Sequence, residues 1–554
     1  LTSGEEGIGC FKHKLNLKAG QTKEFVVVLG QTSGLPVVSK LLAKYRDVKA
    51  AAGELKNTQE LWKKRITDNI AVATPDKDFD TLVNGWLKYQ VYICNLWSRS
   101  PSYYHEGSGG RGYRDSCQDS EAIVSMAPEW TRQRILKVAS LIRRDGTSAP
   151  GSSDTAGPNK HRPNKDHPVW LTATVSAYIK ETGIKDILKE SVPYLKDSWI
   201  KGWEVDPNWK GGSTADGEGT LLEHLEKNLN FCFNDVGEKG FPRIGHADWN
   251  DAIDAAGIRH RGESVWLAQA LVRSLKILAE IFEGSGQEEK KNEYLQMAKT
   301  MEERINASAW DGSWYARGFD DDGLVFGSHQ DKEGKIFLNT QAWAILSGVA
   351  QGERLKQIIQ AVDKYLNGPH GLALFYPAFS SWVKRLGRIS MFSEGTKENA
   401  AVFCHAVLFM TVAYAMAGYA DKAYESLRKI MPNAQKDRDL YKTEPYAFAE
   451  YLIGPQHPYL YGEGAFTWIT GSSGWALMAA TEWILGVRRD WEGLRIDPCI
   501  PRKWKRVFVR RPFRGDIYEI EILNPDGKEH GVKEVLVDGK ELEGNLIPPF
   551  KDGR

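Results

Sequence analysis

Apolar residues recur at steps of three and four along much of the chain, which is the period of an amphipathic α-helix. A clear example is the stretch 263–283, whose apolar positions are Val265, Leu267, Leu271, Leu275, Leu278 and Phe282. Glu263 lies in the predicted first turn, where a negative charge suits the helix dipole. The run Gly284-Ser285-Gly286 ends the pattern. We therefore predict a helix over 263–283.

The same period predicts about a dozen helices between residues 76 and 488. The clearest are 79–97, 169–182, 263–283, 287–308, 336–348, 397–417, 419–430 and 473–486. The loops between them are long and rich in Gly, Pro and aromatic residues, and such loops inside a compact domain are usually functional. Paired helices with chemistry carried on loops at one end favour an (α/α)6 toroid.

The two ends of the chain follow the two-residue period of β-strands. Residues 8–30 alternate and then become β-branched, which predicts the last strands of a β domain. A helix rich in Lys, Ala and Glu is expected to follow over 35–70. Residues 506–523 alternate as strands, with Asn-Pro-Asp-Gly at 524–527 as a turn. We expect a small C-terminal β domain from about residue 489 onward.

Composition excludes several classes of protein. Lys and Arg number 73 against 72 Asp and Glu, so the basic excess of a nucleic-acid binder is missing. The six Cys are scattered without Cys-x-x-Cys spacing, which predicts buried free thiols rather than a metal site or a disulfide framework. No apolar run reaches about 18 residues, so we expect no membrane span. The chain opens at Leu1 without a signal-peptide pattern, which suggests a cytoplasmic segment of a longer protein.

The stretch 243–254 has the strongest chemical signal. Asp248 and Asp251 lie three residues apart around Trp249 and Asn250. An indole packs on the C–H face of a pyranose, and a protonated carboxyl is what a leaving glycosidic oxygen requires. The alternative is an Asp-rich turn or a helix cap, which uses the same residue types.

Residues 107–112 spell G-x-G-x-x-G, but they neither follow a buried strand nor open a helix in the predicted pattern, so we reject dinucleotide binding. We interpret 107–119 as a flexible loop that brings guanidinium and carboxylate groups to a ligand. Such groups form a rigid hydrogen-bonding set for sugar hydroxyls. The alternative is a buried ion-pair network. The residues concerned are Arg111, Arg114, Asp115 and Asp119.

Two further segments carry candidate groups. Glu398 and His405 are seven residues apart, so on the predicted helix 397–417 they share one face, although a lone His there is more often a core residue. Residues 470–473, Thr-Gly-Ser-Ser, stand just before an apolar helix. Hydroxyls and free N–H groups at a helix N-terminus form an anion site, or they are ordinary caps.

Together these segments resemble glycoside hydrolase family 94, the inverting phosphorylases of cellobiose, chitobiose and related β-glucosides. The resemblance runs from about residue 80 to 520. Its motifs are 98–100 Ser-Arg-Ser, 112–119 Gly-Tyr-Arg-Asp-Ser-Cys-Gln-Asp, 247–251 Ala-Asp-Trp-Asn-Asp, 397–399 Lys-Glu-Asn with His405, and 470–472 Thr-Gly-Ser.

The resemblance implies a mainly α fold, an (α/α)6 barrel catalytic domain flanked by β-sandwich remnants at both ends. It implies that most of the N-terminal sandwich lies outside this chain. The expected domains are the end of the sandwich, a helical linker, the catalytic barrel and a C-terminal β domain, at 1–34, 35–75, 76–488 and 489–554.

The resemblance also implies roles. Asp251 corresponds to the general acid. The implied sugar contacts are Arg111, Asp115, Trp249, Lys397 and Glu398, and the charge pattern of 107–119 adds Arg114 and Asp119 to them. The implied phosphate contacts are Arg99, His405, Thr470 and Gly471.

The expected activity is phosphorolysis of a β-linked disaccharide or oligosaccharide, giving an α-sugar 1-phosphate. An inverting hydrolase needs a base as well as an acid, at roughly 6.5–9.5 Å, whereas phosphate is already a nucleophile. We expect no cofactor beyond phosphate as co-substrate, no nucleic acid or membrane partner, and a possible homodimer. The alternatives are an inverting hydrolase with Glu398 as its base, and a non-catalytic carbohydrate-binding protein.

Overall fold

The structure is a computed structural model. It describes residues 10–30, 32, 34–99, 110–153, 157–158, 164–196, 199–200, 204–205, 214–468 and 470–550. The chain divides into two compact units, Leu1–Asp68 and Asn69–Arg554. The boundary between them falls inside the segment that the sequence predicts to be a linker.

The first unit contains two helices, α1 Leu35–Tyr45 and α2 Val48–Thr67, where the sequence predicts one. The chain breaks between them because the Asp47 carboxylate accepts a hydrogen bond from the Ala50 N–H at 2.9 Å, which caps α2. The strands predicted at 8–30 are wrong for the described part, 10–30, where no strand forms. A strand requires a hydrogen-bonded neighbour, and these residues have none there and are mostly exposed. Residues 8 and 9 lie outside the described part.

The helices of the second unit account for most of its buried apolar residues. In chain order they are α3 Lys77–Thr81, α4 Leu87–Trp97, α5 Tyr113–Ile123, α6 Pro128–Ala139, α7 Leu171–Thr182, α8 Leu221–Asn234, α9 Val265–Gly284, α10 Glu288–Ser308, α11 Leu338–Leu346, α12 Gly352–Tyr365, α13 Cys404–Met416, α14 Ala420–Ile430, α15 Arg438–Tyr441 and α16 Ser472–Met478. Two π-helical turns continue this set, at Leu82–Trp86 between α3 and α4 and at Ala479–Ile484 after α16.

Most of the strands are short, and the longest are β21 and β22. In chain order they are β1 Ala71–Ala73, β2 Arg111–Gly112, β3 Gly151–Ser153, β4 Gly157–Pro158, β5 Ser191–Lys196, β6 Trp199–Ile200, β7 Glu204–Val205, β8 Thr214–Thr220, β9 Glu263–Ser264, β10 Gly318–Phe319, β11 Val325–Phe326, β12 Ile336–Phe337, β13 Asn367–Gly368, β14 Gly371–Leu372, β15 Phe375–Tyr376, β16 Val402–Phe403, β17 Ala449–Leu452, β18 Gly464–Thr467, β19 Val487–Asp490, β20 Gly493–Ile496, β21 Arg506–Phe513, β22 Asp516–Leu523, β23 Val535–Val537, β24 Lys540–Leu542 and β25 Leu546–Ile547. They form two- and three-stranded sheets.

Six helices of the described chain pack in sequence around a common core. α5 contacts α7, α7 contacts α9, α9 contacts α11, α11 contacts α13, α13 contacts α16, and α16 returns to contact α5. We call these six the inner helices. They are buried around most of their circumference, as shown by α13, in which every residue except the last is buried. The amphipathic helices α6, α10, α12 and α14 pack on the outside of inner partners and keep a polar face.

Helix α9 confirms the helix predicted at 263–283, with a different start. Glu263 and Ser264 form strand β9, and the Ser264 hydroxyl caps the helix by accepting the Leu267 N–H at 2.9 Å. The Glu263 carboxylate does not face the helix dipole. It accepts hydrogen bonds from the backbone N–H groups of Lys239 and Phe241.

Two other sequence predictions are corrected. The stretch 107–119, predicted as a flexible loop, is helix α5 from Tyr113 onward, and residues 107–109 lie outside the described part. The helix predicted at 397–417 begins only at Cys404, because Lys397 and Ala400 adopt positive φ and Val402–Phe403 forms strand β16. Glu398 and His405 therefore do not share a helix face.

The C-terminal strands predicted at 506–523 are confirmed as the antiparallel pair β21 and β22. The hairpin turns at Arg514-Gly515, where both residues have positive φ. The predicted Asn-Pro-Asp-Gly turn forms after β22, with the Gly527 N–H donating to the Asn524 carbonyl at 3.2 Å. Strand β1 adds to the outer edge of β21, so the first strand of this unit and its last long hairpin share one sheet.

All six cysteines are free thiols, as expected, and only Cys10 is exposed. Among the helices that the structure describes, none combines the length and the hydropathy that a membrane span requires.

Candidate active site

The predicted functional side chains come together at the N-terminal ends of the inner helices. Arg114 and Asp115 lie in the first turn of α5, and His405 lies in the first turn of α13. Gly471 immediately precedes α16, and Asp251 lies in the loop that leads to α9. This end of a helix presents unpaired N–H groups and the positive end of the dipole, so it favours anions.

Asp251 is held by two donors and stays accessible. Its Oδ1 accepts a hydrogen bond from Arg114 Nη2 at 2.6 Å and another from the Asn164 amide. Its side chain is 56% exposed. Arg114 is itself fixed by the Asp166 carboxylate at 3.4 Å and by the Asp248 carbonyl at 3.0 Å. Arg114 thus connects the accessible Asp251 carboxyl to Asp166 and to the backbone of Asp248.

Asp248 has the opposite surroundings. It is fully buried, forms an ion pair with the buried Arg317, and accepts the Ser264 hydroxyl at 2.6 Å. Arg317 also donates to the Asn250 side chain at 2.9 Å, so it fixes the conformation of the loop that contains Asp248 and Asp251. The turn interpretation of this stretch therefore applies to Asp248, whereas Asp251 remains the candidate acid.

Glu398 reaches the same loop from the segment before β16. Its Oε1 accepts the Ala252 N–H and its Oε2 accepts the Asn250 amide, both at 3.1 Å. Burial and the negative charge of Asp251 raise the pKa of Glu398 well above its usual range. The Glu398 side chain thus lies beside the candidate acid in an environment that favours its protonated form.

Arg99 anchors the opposite part of the site. Its guanidinium pairs in a bidentate manner with Asp119, at 2.8 and 3.2 Å, and lies 3.6 Å from Asp115. Burial lowers the pKa of Arg99, but the charges of Asp119 and Asp115 more than offset this. Asp119, which is itself buried, acts on the site through Arg99 and does not face an open sugar site.

His405, Gly471 and Arg99 meet at one point. A Cβ placed on Gly471 would lie 2.8 Å from His405 Cε1 and 3.4 Å from Arg99 Nη2. Thr470 is buried next to them, and its hydroxyl accepts the Ser472 N–H at 3.1 Å at the start of α16. Burial and the nearby Arg99 lower the pKa of His405 to about 3. Three of the four predicted phosphate contacts therefore lie against one another, and the fourth, Thr470, adjoins them.

Trp249 packs against His405 and does not offer an open face. Its ring centroid lies 5.5 Å from that of His405 and 5.3 Å from that of Phe409, and only 6% of the residue is exposed. Trp249 therefore has little free surface on which a sugar ring could stack, and it instead packs against the imidazole of His405.

Arg111 and Lys397 lie at the border of the site. Arg111 donates to the carbonyls of Asn95 and Leu96 at 3.0 and 2.8 Å, where it covers the C-terminal end of α4. The Lys397 ammonium lies 5.1 Å from the centre of the Phe392 ring. Its charge acts on Glu450, so Lys397 faces the same region as the acids.

Glu450 and Gln118 belong to the site and were not predicted. Glu450 lies on β17, and its carboxyl interacts with the charges of both Asp251 and Arg99. Burial raises the pKa of Glu450 to about 7. The sequence does contain a signal for Glu450, because this residue is the single acid in the otherwise uncharged run 445–453, Pro-Tyr-Ala-Phe-Ala-Glu-Tyr-Leu-Ile. Gln118 contacts His405 from α5, and no local pattern marks it.

Comparison with known families identifies the family to which the chain belongs. Residues 61–486 match the family model described as Glycosyl hydrolase 94 superfamily, catalytic domain. The chain belongs to this family. The family 94 match contains every predicted site residue, from Arg99 to Gly471, and confirms the resemblance inferred from the motifs.

Several relatives of the chain are phosphorylases by name, and one is the cyclic beta-(1,2)-glucan synthase NdvB of Rhizobium meliloti. The chain is 34% identical to the solabiose phosphorylase of Paenibacillus borealis, over 100% of this chain and 68% of that protein. It is 31% identical to the N,N'-diacetylchitobiose phosphorylase of Vibrio proteolyticus, over 98% of this chain and 69% of that protein. Among solved structures, a sialidase shares the fold alone, with a TM-score of 0.56 and 14% identity over 86% of this chain and 41% of that one.

Proposed function

We propose that this family 94 protein is an inverting phosphorylase. It cleaves a β-linked, cellobiose-like glucoside disaccharide or oligosaccharide with inorganic phosphate and releases an α-sugar 1-phosphate. The proposal depends mainly on the contact of Arg99 with His405 and Gly471, which lie at the N-termini of α13 and α16. A guanidinium, an imidazole and the N-terminus of a helix are groups that favour a bound anion.

We infer that the inner helices and their outer partners form an (α/α)6 barrel over residues 76–488, with residues 489–554 as a β domain. The closed sequence of helix contacts supports this inference, since the last inner helix packs against the first. The barrel would bring loops that are far apart in sequence to one end, where the candidate site lies.

In the proposed reaction, the protonated carboxyl of Asp251 gives its proton to the glycosidic oxygen while that oxygen leaves the anomeric carbon. A phosphate oxygen forms the new bond to the same carbon from the opposite face, so a β-linkage yields an α-phosphate. Arg114 stabilises the carboxylate that Asp251 becomes. The phosphate ester then releases the proton that it carried, and Asp251 takes one up from solvent.

A hydrolase would require a second carboxylate acting as a base on water. Glu398 is the nearest candidate, but both of its oxygens accept hydrogen bonds from the Asp251 loop, and its raised pKa favours the neutral form. These contacts favour Glu398 as a residue that shapes the loop and binds sugar.

Replacing the acid tests the proposal directly. We expect Asp251→Asn to lower kcat by about 10²–10⁴-fold, because an amide cannot donate the proton. Disaccharide binding measured by calorimetry should persist. Asp322→Asn, which removes an exposed carboxylate paired with Arg259, is the matched control and should keep full activity. Undiminished turnover in Asp251→Asn would contradict the assignment.

The reaction class is tested by omitting phosphate. Wild-type protein should cleave its disaccharide only when phosphate is present, and cleavage at an equal rate without it would instead indicate a hydrolase. The sugar specificity is tested in the synthetic direction, by incubating α-glucose 1-phosphate or α-N-acetylglucosamine 1-phosphate with glucose, gluconic acid and N-acetylglucosamine. Phosphate release then identifies the donor and the acceptor.

A further inference from the structure

A chain of three buried side chains supports the imidazole of His405 from behind. The Trp475 indole Nε1–H donates to Gln118 Oε1 at 2.8 Å. The same oxygen lies 2.9 Å from His405 Nε2. The other end of the Gln118 amide, Nε2, donates to the Arg114 carbonyl at 3.3 Å. All three side chains are buried, so their polar atoms require hydrogen-bond partners within the protein.

This chain determines which nitrogen of His405 carries the proton. An indole Nε1–H can only donate, so the atom of Gln118 that faces Trp475 must be the carbonyl oxygen and not the amide nitrogen. The same oxygen faces His405 and can only accept. His405 Nε2 must therefore carry a hydrogen, and Nδ1 of the neutral ring has a free lone pair.

Nδ1 is the ring nitrogen that lies on the side of Gly471 and Arg99, two of the predicted phosphate contacts. It would lie 3.2 Å from a Cβ placed on Gly471, on the same side as Arg99. The charged groups that act on the ring are Arg99, Asp115 and Arg114. Burial and the two guanidinium groups lower the pKa of His405 and disfavour a second proton, so the ring presents an acceptor on the side of Gly471 and Arg99.

We propose that Gln118 is a positioning residue that holds His405 as the Nε2–H tautomer, so that Nδ1 accepts a hydrogen bond from a P–O–H group of the bound phosphate. The proposal rests on the proposed phosphorolysis. In this arrangement Arg99 binds the ionised oxygens, His405 binds the protonated one, and the phosphate is held in a single orientation. Trp475 secures the orientation of the Gln118 amide.

The tautomer is measured directly by ¹⁵N NMR of the full chain labelled at histidine, with the His405 signal identified by its loss in His405→Asn. At neutral pH we expect the Nε2–H pattern. In Gln118→Leu, and in Trp475→Phe as a second variant that keeps Gln118, we expect a mixture of tautomers. An Nδ1–H or imidazolium pattern in the wild type would overturn the proposal.

Kinetics supply an independent readout. Gln118→Leu should raise the KM for phosphate by about tenfold or more while changing the KM for the disaccharide less than twofold, because one hydrogen bond to phosphate loses its fixed geometry. The matched control is Gln341→Leu, which removes a fully buried amide that hydrogen-bonds to the Tyr315 backbone. Equal phosphate KM values in the two variants would refute the role of Gln118. A wild type without phosphate-dependent cleavage would instead refute the proposed function.

Discussion

At the scale of single residues, Asp248 and Asp251 show how burial separates two acids of one motif. Asp248 is buried against Arg317 and Ser264, and its loss would leave an unpaired buried guanidinium. Asp251 is accessible and pairs with Arg114 at the edge of the site. The same residue type is therefore structural in one position and a candidate proton donor three residues later.

Glu450 predicts how activity depends on pH. Burial raises the pKa of Glu450 to about 7, although the charge of Arg99 opposes this rise. Glu450 is therefore neutral at acidic pH and ionised at alkaline pH. The ionised carboxylate would repel phosphate and the negative charge that develops on Asp251. We expect wild-type kcat/KM for phosphate to fall as pH rises through about 7, and Glu450→Gln to retain several-fold more activity than wild type at pH about 8.5.

The control is Glu463→Gln, which removes an acid that pairs with Lys442 near the neighbouring strand β18. Its pH profile should match that of the wild type. If kcat/KM for phosphate fell at alkaline pH in Glu450→Gln as it does in the wild type, another group would be responsible.

At the scale of elements, the N-terminus of α9 links helix stability to the site. The Ser264 hydroxyl accepts the Leu267 N–H and donates to Asp248 Oδ2, so one side chain caps the helix and holds the loop that carries Asp251. Arg317 Nη1 donates to the same hydroxyl at 3.2 Å. A local cap and a long-range network therefore share one oxygen.

Ser264→Ala should lower the free energy of unfolding by about 1–2 kcal/mol, because it removes the cap and leaves Asp248 with one donor fewer. We expect a lower urea midpoint together with a reduced kcat. The control is Thr220→Ala, which removes the exposed capping box of α8 and should cost about 0.5–1 kcal/mol without changing kcat. If both variants had the same kcat, the cap of α9 would have no influence on the site.

At the scale of the second unit, the C-terminal hairpin is tied to the inner helices by one buried ion pair. Arg511 on β21 donates to the Glu181 carboxylate near the end of α7 at 2.6 Å, and both side chains are less than a tenth exposed. β21 also pairs with β1, so the beginning and the end of this unit meet in one sheet.

Arg511→Met should destabilise the second unit by about 3–5 kcal/mol, because Glu181 would remain buried without its partner. The double variant Arg511→Met/Glu181→Met should recover most of this loss, since no charge is then left unpaired. Urea unfolding measures the stability, and KM values should stay unchanged. A single variant as stable as the wild type would show that the pair contributes nothing.

How much of this arrangement is predictable differs between the helices. α7, α9, α10 and α14 have apolar stripes, and their predicted bounds agree with the structure to within a few residues. α5 was not predicted, because its inward residues Ser116, Gln118 and Asp119 are polar and lie near the site. The start of α13 was misplaced because a helix that is apolar on all sides carries no periodic signal.

The sequence by itself determined the family, the mainly helical composition of residues 76–488, and the set of candidate groups from Arg99 to Gly471. Those features depend on residue type and local spacing. Only the tertiary structure decided that Asp248 is buried while Asp251 is accessible, that Trp249 supports His405, and that Glu450 and Gln118 belong to the site. Burial and pairing depend on contacts between residues up to several hundred positions apart, which no local pattern records.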